Sequence, residues 1–286
     1  MSDQVKGLLI TLVAVLFVVP DSLFVRLIGA EPLVISFWRG GISGALILAW
    51  IVVTQGVRPI REVMGTGWYG VLFAFATGVS GVFFVLAVSM TSVANVVLII
   101  AAMPVFAAVY SRIFLAEPIR ARMLITIAVV AMGLAVIAYG SGETEHAHWK
   151  GDLMALLVTA LFPAGLTAAR KVRHVSMVPA VALGYLVVSA GLALFVSPWA
   201  VPEGKWLLVG LHGAFITVSA VGLALGPRYI PSAEVGLLIL LESVLAPLLV
   251  WAVIDEHPGR YALIGGAIVV GALAMSNVVA LRRGQQ

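Results

Sequence analysis

Ser232-Ala-Glu-Val-Gly-Leu-Leu-Ile-Leu-Leu-Glu242-Ser-Val-Leu-Ala-Pro-Leu-Leu-Val-Trp-Ala-Val253 is an apolar run with a carboxylate near its middle and no basic residue inside it. A helix that crosses a bilayer needs about 20 predominantly apolar residues, and this run has that length. A carboxylate at such depth is costly. It marks a transport pathway, a proton relay or a tightly satisfied core site.

The rest of the chain is of the same kind. It has 286 residues, of which 62% are hydrophobic and 10% charged, and a mean hydropathy of +1.13. A soluble domain carries about 25% charged residues. Ten apolar runs are visible, at 7–25, 32–53, 67–89, 92–115, 121–140, 152–169, 179–199, 206–226, 232–253 and 260–281. They predict an all-α integral membrane protein with ten transmembrane helices. The 152–169 run reads as short and carries Pro163. The first run is longer than the apolar core of a signal peptide, and its exit Pro20-Asp21-Ser22 has no small-x-small cleavage pattern. A pI near 9.6 does not speak for nucleic acid here, because the few Lys and Arg residues lie in loops. Cysteine is absent, which excludes disulfides and thiolate metal sites.

Basic residues orient the chain. Lys6, Arg58, Arg61, Arg112, Arg120, Arg122, Arg170, Lys171, Arg173, Arg228, Arg282 and Arg283 fall on one side, against Arg26, Lys150, Lys205 and Arg260 on the other. The positive-inside rule then predicts both termini in the cytoplasm. The chain also repeats. At an offset of 139, residues 91–140 match 230–279 at Ala94/Ala233, Val96/Val235, Leu98/Leu237, Ala107/Ala246, Glu117/Glu256, Ile125/Ile264, Ala128/Ala267, Val130/Val269 and Ala135/Ala274. Apolar identities carry little weight, but a Glu117/Glu256 pair in a charge-poor chain carries more. Repeats at 7–140 and 151–282, five spans each, enter the membrane from opposite sides. Inverted repeats are the architecture of many secondary transporters, with the substrate site near the midplane between the halves.

Ser92-Val-Ala-Asn-Val, Met103-Pro104, Leu115-Ala-Glu117, Ser232-Ala-Glu-Val-Gly, Leu241-Glu242-Ser and Ile254-Asp-Glu256, with Arg39 in the second run, resemble the drug/metabolite transporter superfamily. The EamA-type ten-helix exporters are the branch it is most similar to. The resemblance covers nearly the whole chain and implies a transporter in a bacterial plasma membrane. It also implies export of small polar or amphipathic metabolites, with amino acids the first guess. Two positions depart from the family pattern. Glu-Pro of the ninth helix is Glu242-Ser243 here, with Pro247 four residues on, and Pro20-Asp21 stands in the first helix where Trp-Gly is common.

The polar residues inside the runs are the candidate site. Glu242 lies roughly 15 Å from the start of its helix at 1.5 Å per residue. Burial disfavours the charged form of a carboxylate, which lets such a group bind and release protons near neutral pH. A protonated Glu bonded to a neighbouring helix is the bland reading. Arg39 stays charged and lies about 10 Å from the outer end of its span. Asp21 is at a similar depth on the adjacent first helix, so a structural Asp21–Arg39 pair and a substrate role stand side by side. An anionic substrate group can compete with Asp21 for the guanidinium fork. Trp38 either lines a cavity or sits at the interface, where Trp is enriched.

Asn95 and Glu234 lie about one turn into their helices. There they complement the helix N-terminus or act as gates at the two mouths. Glu117 and Glu256 read as caps of the next helix. His212 has no second His or carboxylate at i+3 or i+4 and reads as a packing residue, and His146 and His148 read as solvated. Asn277 reads as an interhelical hydrogen bond. Pro20, Pro104, Pro163 and Pro247 are candidate hinges, since proline removes a donor and bends a helix. Ser36, Gly40 and Gly44, and likewise Ala267 and Gly271, form small-residue faces that serve either an intramolecular seam or a homodimer.

No phosphate-binding Gly-x-x-x-x-Gly-Lys motif and no nucleophile motif occurs, so neither an ATP-driven pump nor an enzyme is expected, and no cofactor. A non-transporting scaffold or accessory subunit is one rival reading. A lipid-carrier translocase with a lateral opening is the other. The expected partners are a small-molecule substrate and the lipid bilayer, and no nucleic acid.

Overall fold

The structure, a computed structural model, describes residues 3–116, 121–140, 148–172, 174–225, 229 and 232–284. Glu117, Pro118, Arg120 and His146 lie outside the described residues, as do the side chains of Glu234 and Asn277. All regular elements described are α-helices. In chain order they are α1 (Asp3–Val18), α2 (Asp21–Ile28), α3 (Pro32–Gln55), α4 (Arg58–Met64), α5 (Trp68–Met90), α6 (Val93–Ile100), α7 (Met103–Leu115), α8 (Ala121–Tyr139), α9 (Trp149–Lys171), α10 (Val178–Leu192), α11 (Trp206–Leu225), α12 (Ser232–Ile254) and α13 (Arg260–Gly284).

Helices are what this composition requires. In hydrocarbon every backbone polar group must be satisfied within the segment, which leaves the helix or the closed barrel. Among the described residues, six helical stretches are long and apolar enough to cross a membrane: Val5–Ile28, Pro32–Gln55, Trp68–Met90, Val93–Leu115, Trp149–Lys171 and Trp206–Leu225. Four shorter apolar helices accompany them, at Met123–Tyr139, Val178–Leu192, Leu238–Ile254 and Arg260–Ser276. Two expected boundaries change. The 152–169 run is part of a full 23-residue helix, because His148 accepts from the Lys150 amide and starts α9 earlier. The 179–199 run stops being helical at Leu192. Pro198 follows closely, and the residue before a proline is disfavoured in the helical region.

Two stretches are interrupted. Pro20 separates α1 from α2, and the turn at Ala101-Ala102, followed by Pro104 in the first turn of α7, separates α6 from α7. Side chains of neighbouring helices reach the carbonyls near the second break. Thr159 Oγ1 of α9 donates to Ile99 O at 3.3 Å, and Ser243 Oγ of α12 donates to Val97 O at 3.4 Å. Ser243, one of the two departures from the family pattern, therefore ties two helices together. α9 and α12 continue as helices through Pro163 and Pro247.

Packing joins the first half of the chain to the second. α3 packs along α10 and α11, α5 along α9 and α10, α1 along α11 and α12, α6 along α9 and α12, and α8 along α13. Lipid tails are as apolar as leucine, so close backbone approach rather than the hydrophobic effect joins such helices. Glycine permits it. A Cβ at Gly44 would stand 2.9 Å from Ala182 O, and one at Gly78 would stand 2.6 Å from Gly184 O. The Gly40/Gly44 face is thus an intramolecular seam with α10. On α13 the seam runs through Gly265, against Gly133 and Ile137 of α8, whereas a Cβ at Gly271 would meet none of the described residues within 4 Å.

Large apolar side chains also cover the outside. Val53 is 84% exposed, Leu194 82%, Phe195 80% and Leu207 73%. Exposed apolar surface on this scale marks a membrane contact. The chain is a multi-pass membrane protein.

Candidate functional site

Asp21 opens α2 directly after the break at Pro20. Arg39 lies two turns into α3, and His212 lies two turns into α11. The three meet. Arg39 Nε donates to Asp21 Oδ1 at 3.1 Å and Arg39 Nη2 donates to Asp21 Oδ2 at 2.6 Å, a two-pronged clamp on one carboxylate. His212 Nε2 stands 2.6 Å from Asp21 Oδ1. Asp21 and His212 are each 1% exposed and Arg39 is 8% exposed. Geometry of this quality is what a buried ion pair needs, because the cost of taking both charges out of water is offset only by direct, multiple bonds.

Aromatic rings enclose the cluster. The Arg39 guanidinium lies 5.6 Å from the centre of the Phe84 ring, within the range of a cation–π contact. Phe24 stacks on the His212 imidazole with ring centres 5.4 Å apart and 23° between planes. Tyr185 of α10 also engages Arg39. Beside it, a small cavity of about 10 Å³ touches Ser36, Arg39, Gly81, Tyr185 and Ser189. Glu242 of α12 is half-buried and close enough to feel the charges of Asp21 and Arg39. Among the described residues its carboxylate has no hydrogen-bond partner.

A second polar network closes one end of the bundle. Arg26, at the end of α2, pairs with Glu256 (Nε to Oε2, 2.9 Å) and donates from Nη2 to Thr91 O at 2.9 Å. Glu256 Oε1 accepts from the Val93 amide at 2.8 Å. Glu256 was expected to cap the helix that follows it. It caps α6 instead, because α6 begins beside the turn after α12 and its first amides have no helical partners. Thr91 Oγ1 donates to Asp152 Oδ1 at 2.7 Å, and Asn95 Nδ2 reaches both Asp152 oxygens at 3.0 and 3.2 Å. Asn95 was expected at the helix N-terminus and is there. Its side chain binds α9, while Ser92 accepts from its amide as the cap.

The remaining candidates fall elsewhere. Trp38 donates from Nε1 to Pro198 O at 2.7 Å and packs against Trp199 and Trp206, in an aromatic group beside the loop between α10 and α11. It is one residue from Arg39 and also packs against the buried apolar cluster that contains Phe24 and Phe84. Glu234 lies in the first turn of α12. Pro20 and Pro104 stand at the two helix breaks. Pro163 and Pro247 lie inside continuous helices.

Asp21 and Arg39, paired on depth alone, are paired in the structure. His212, expected to be packing, is a direct partner of Asp21. Tyr185, Asp152 and Arg26 had no assigned role. The available signal was scarcity: with 10% charged residues, each charge near an apolar run needs a partner.

No curated protein matches the chain. A solved structure described only as "Crystal structure of protein" shares the fold, with 22% sequence identity, a TM-score of 0.68, and coverage of 98% of this chain and 99% of that one. Two copies of one family model, described as "EamA-like transporter family", match residues 5–139 and 149–278. Together they take in nearly every helix that builds the Asp21 cluster and the network at the bundle end, and the chain belongs to the EamA-like transporter family.

Proposed function

We propose that the chain is a secondary transporter of ten spans. In this reading, five-span repeats at 7–140 and 151–282 are inverted relative to each other, and both termini face the cytoplasm of a bacterial cell. The packing supports the repeat. Exchanging the halves turns the α5–α9 contact into α11–α1, and the α5–α10 contact into α11–α3, and both members of each pair exist. Val130 and Val269, matched at the offset of 139, share one buried cluster. It moves small polar or amphipathic metabolites, amino acids first, outward by alternating access.

The observation that carries the reading is the buried Asp21–Arg39–His212 cluster, with the half-buried Glu242 beside it. Asp21 and Arg39 come from the first half, and His212 and Glu242 from the second. A passive scaffold has no need of charges buried between halves, where each is expensive. Arg39 holds an anionic substrate group in competition with Asp21, and Glu242 contacts a substrate amine or carries the coupling proton. Asn95 and Arg26–Glu256 belong to a closed gate on the outer side, with Glu234 at the opposite mouth. Pro20 and Pro104 are hinges, with Pro163 and Pro247 as bends.

Counterflow of a labelled metabolite panel in liposomes tests this, with Glu242→Gln and Arg39→Ala alongside. Uptake by the wild type that fails in a folded variant supports a carrier using that residue. Uptake undiminished in both variants would remove the proposed site.

One observation favours a second reading. An apolar groove of about 480 Å³ lies on the lateral surface between α1, α3 and α11, lined by Leu9, Val13, Trp50, Val218, Val221 and Leu225. It suits an alkyl chain and so a lipid-carrier translocase. Movement of a long-chain lipid substrate, with no counterflow of polar metabolites, would decide for it.

A further inference from the structure

The Asp21 carboxylate is shared between two donors of different kinds. Arg39 is a permanent cation. His212 is a group whose charge can change near physiological pH. With a neutral imidazole, the trio holds one negative and one positive charge, and every oxygen of Asp21 is bonded. With Nε2–H donating to Asp21, an added proton goes to Nδ1. Taken from water, it forms one N–H bond and breaks no other bond in the protein. The buried cluster then carries one positive charge in excess, which is unfavourable unless an anion accompanies it.

The surroundings limit which anion that is. α11 packs against α1, α2, α3 and α10. Facing the imidazole, α2 brings Asp21 and α3 brings Arg39, while Tyr185 of α10 acts on Arg39 and Asp21. α1 has no charged residue after Lys6. Glu242 of α12 is the remaining carboxylate that feels the cluster. The compensating charge is therefore an ionised Glu242 or a carboxylate brought by a ligand.

We propose that His212 is a proton seat of this carrier, taking up one proton when an anionic ligand group binds at Arg39. The inference rests on the reading of Arg39 as a ligand contact and adds the residue that couples it. A protonated His212 holds Asp21 and loosens its clamp on the guanidinium, so the fork is released to a ligand carboxylate. Charge balance sets the sign of the coupling. A carboxylate and a proton bind together, whereas an amine at Glu242 and a proton compete.

Nuclear magnetic resonance on the full chain in lipid nanodiscs, labelled with ¹⁵N-histidine, tests this without a substrate. The His212 signals are assigned by their loss in His212→Gln. As the pH is lowered, His212 should pass from one ring proton to two. At a fixed pH within that passage, Glu242→Gln should lower the ratio of the two forms about tenfold. A single ring proton throughout, or a ratio untouched by Glu242→Gln, overturns the proposal. In liposomes His212→Gln should lose accumulation driven by a pH gradient by a much larger factor than it loses counterflow. Equal loss of both would make His212 a structural residue. If the wild type shows no counterflow, the transport reading falls, and the spectra still decide the proton seat.

Discussion

At the scale of residues, the buried Asp21–Arg39 clamp is costly to break. Removing one partner leaves the other charged, buried and unpaired. Asp21→Asn should therefore destabilise the protein by about 3–5 kcal/mol, measured by chemical unfolding in mixed micelles. The double variant Asp21→Asn/Arg39→Gln should recover part of that loss, because no lone charge remains. Equal stability of Asp21→Asn and the wild type would mean that the clamp contributes nothing. Glu242 stands apart because it has no hydrogen-bond partner among the described residues. Glu242→Gln should leave the unfolding midpoint near wild type and lower counterflow at least about tenfold, equivalent to roughly 1.4 kcal/mol of lost ligand interaction.

At the scale of elements, the α3–α10 seam is set by backbone contact. Gly44 faces Ala182 O, Leu186 and Tyr185, and a Cβ there would lie 2.9 to 3.1 Å from all three. Gly44→Val should cost about 1–3 kcal/mol through overpacking, read in the same unfolding measurement. Gly271→Val, where a Cβ would meet none of the described residues within 4 Å, should cost little. Similar losses at both positions would show that helix propensity decides these sites rather than packing. The helix breaks follow a related logic. At Ala101-Ala102 the helix is interrupted among close partners, and Thr159 and Ser243 meet the nearby carbonyls. Irregular backbone is tolerated at membrane depth only where protein or water satisfies it.

At the scale of the whole molecule, the Arg26–Glu256–Val93–Thr91 network holds α2, α6 and α12 together at one end, and Asp152 adds α9. The chain has no cysteine, so one introduced thiol is a clean reporter. Ser22→Cys, buried below the network, should resist a membrane-impermeant maleimide added outside. Adding Glu256→Gln removes charge-assisted bonds worth about 1.5–3 kcal/mol each, and labelling should rise at least about tenfold. Unchanged labelling would exclude this network as the outer gate. Glu203→Cys, on the exposed turn before α11, should label from outside in either background. Labelling only from the cytoplasmic face would reverse the orientation.

The sequence by itself determined the membrane class and the helical content, and it offered an expected depth for each charge. Hydropathy is a local property, and a helix advances 1.5 Å per residue. Arg39 and Asp21, expected at similar depth on consecutive spans, could be paired on that basis. Depth was also available for His212, but its direction was not. The helices are apolar on nearly every face, so no polar stripe tells which side turns inward. His212 meets Asp21 across 191 positions, and Glu256 meets the Val93 amide across 163. Such contacts depend on the rotation of each helix about its axis. For His212 that rotation is set by close packing of α11 at Gly213 against Ile42 and at Gly222 against Ala14, and this is a property of pairs of helices that only the tertiary structure decided.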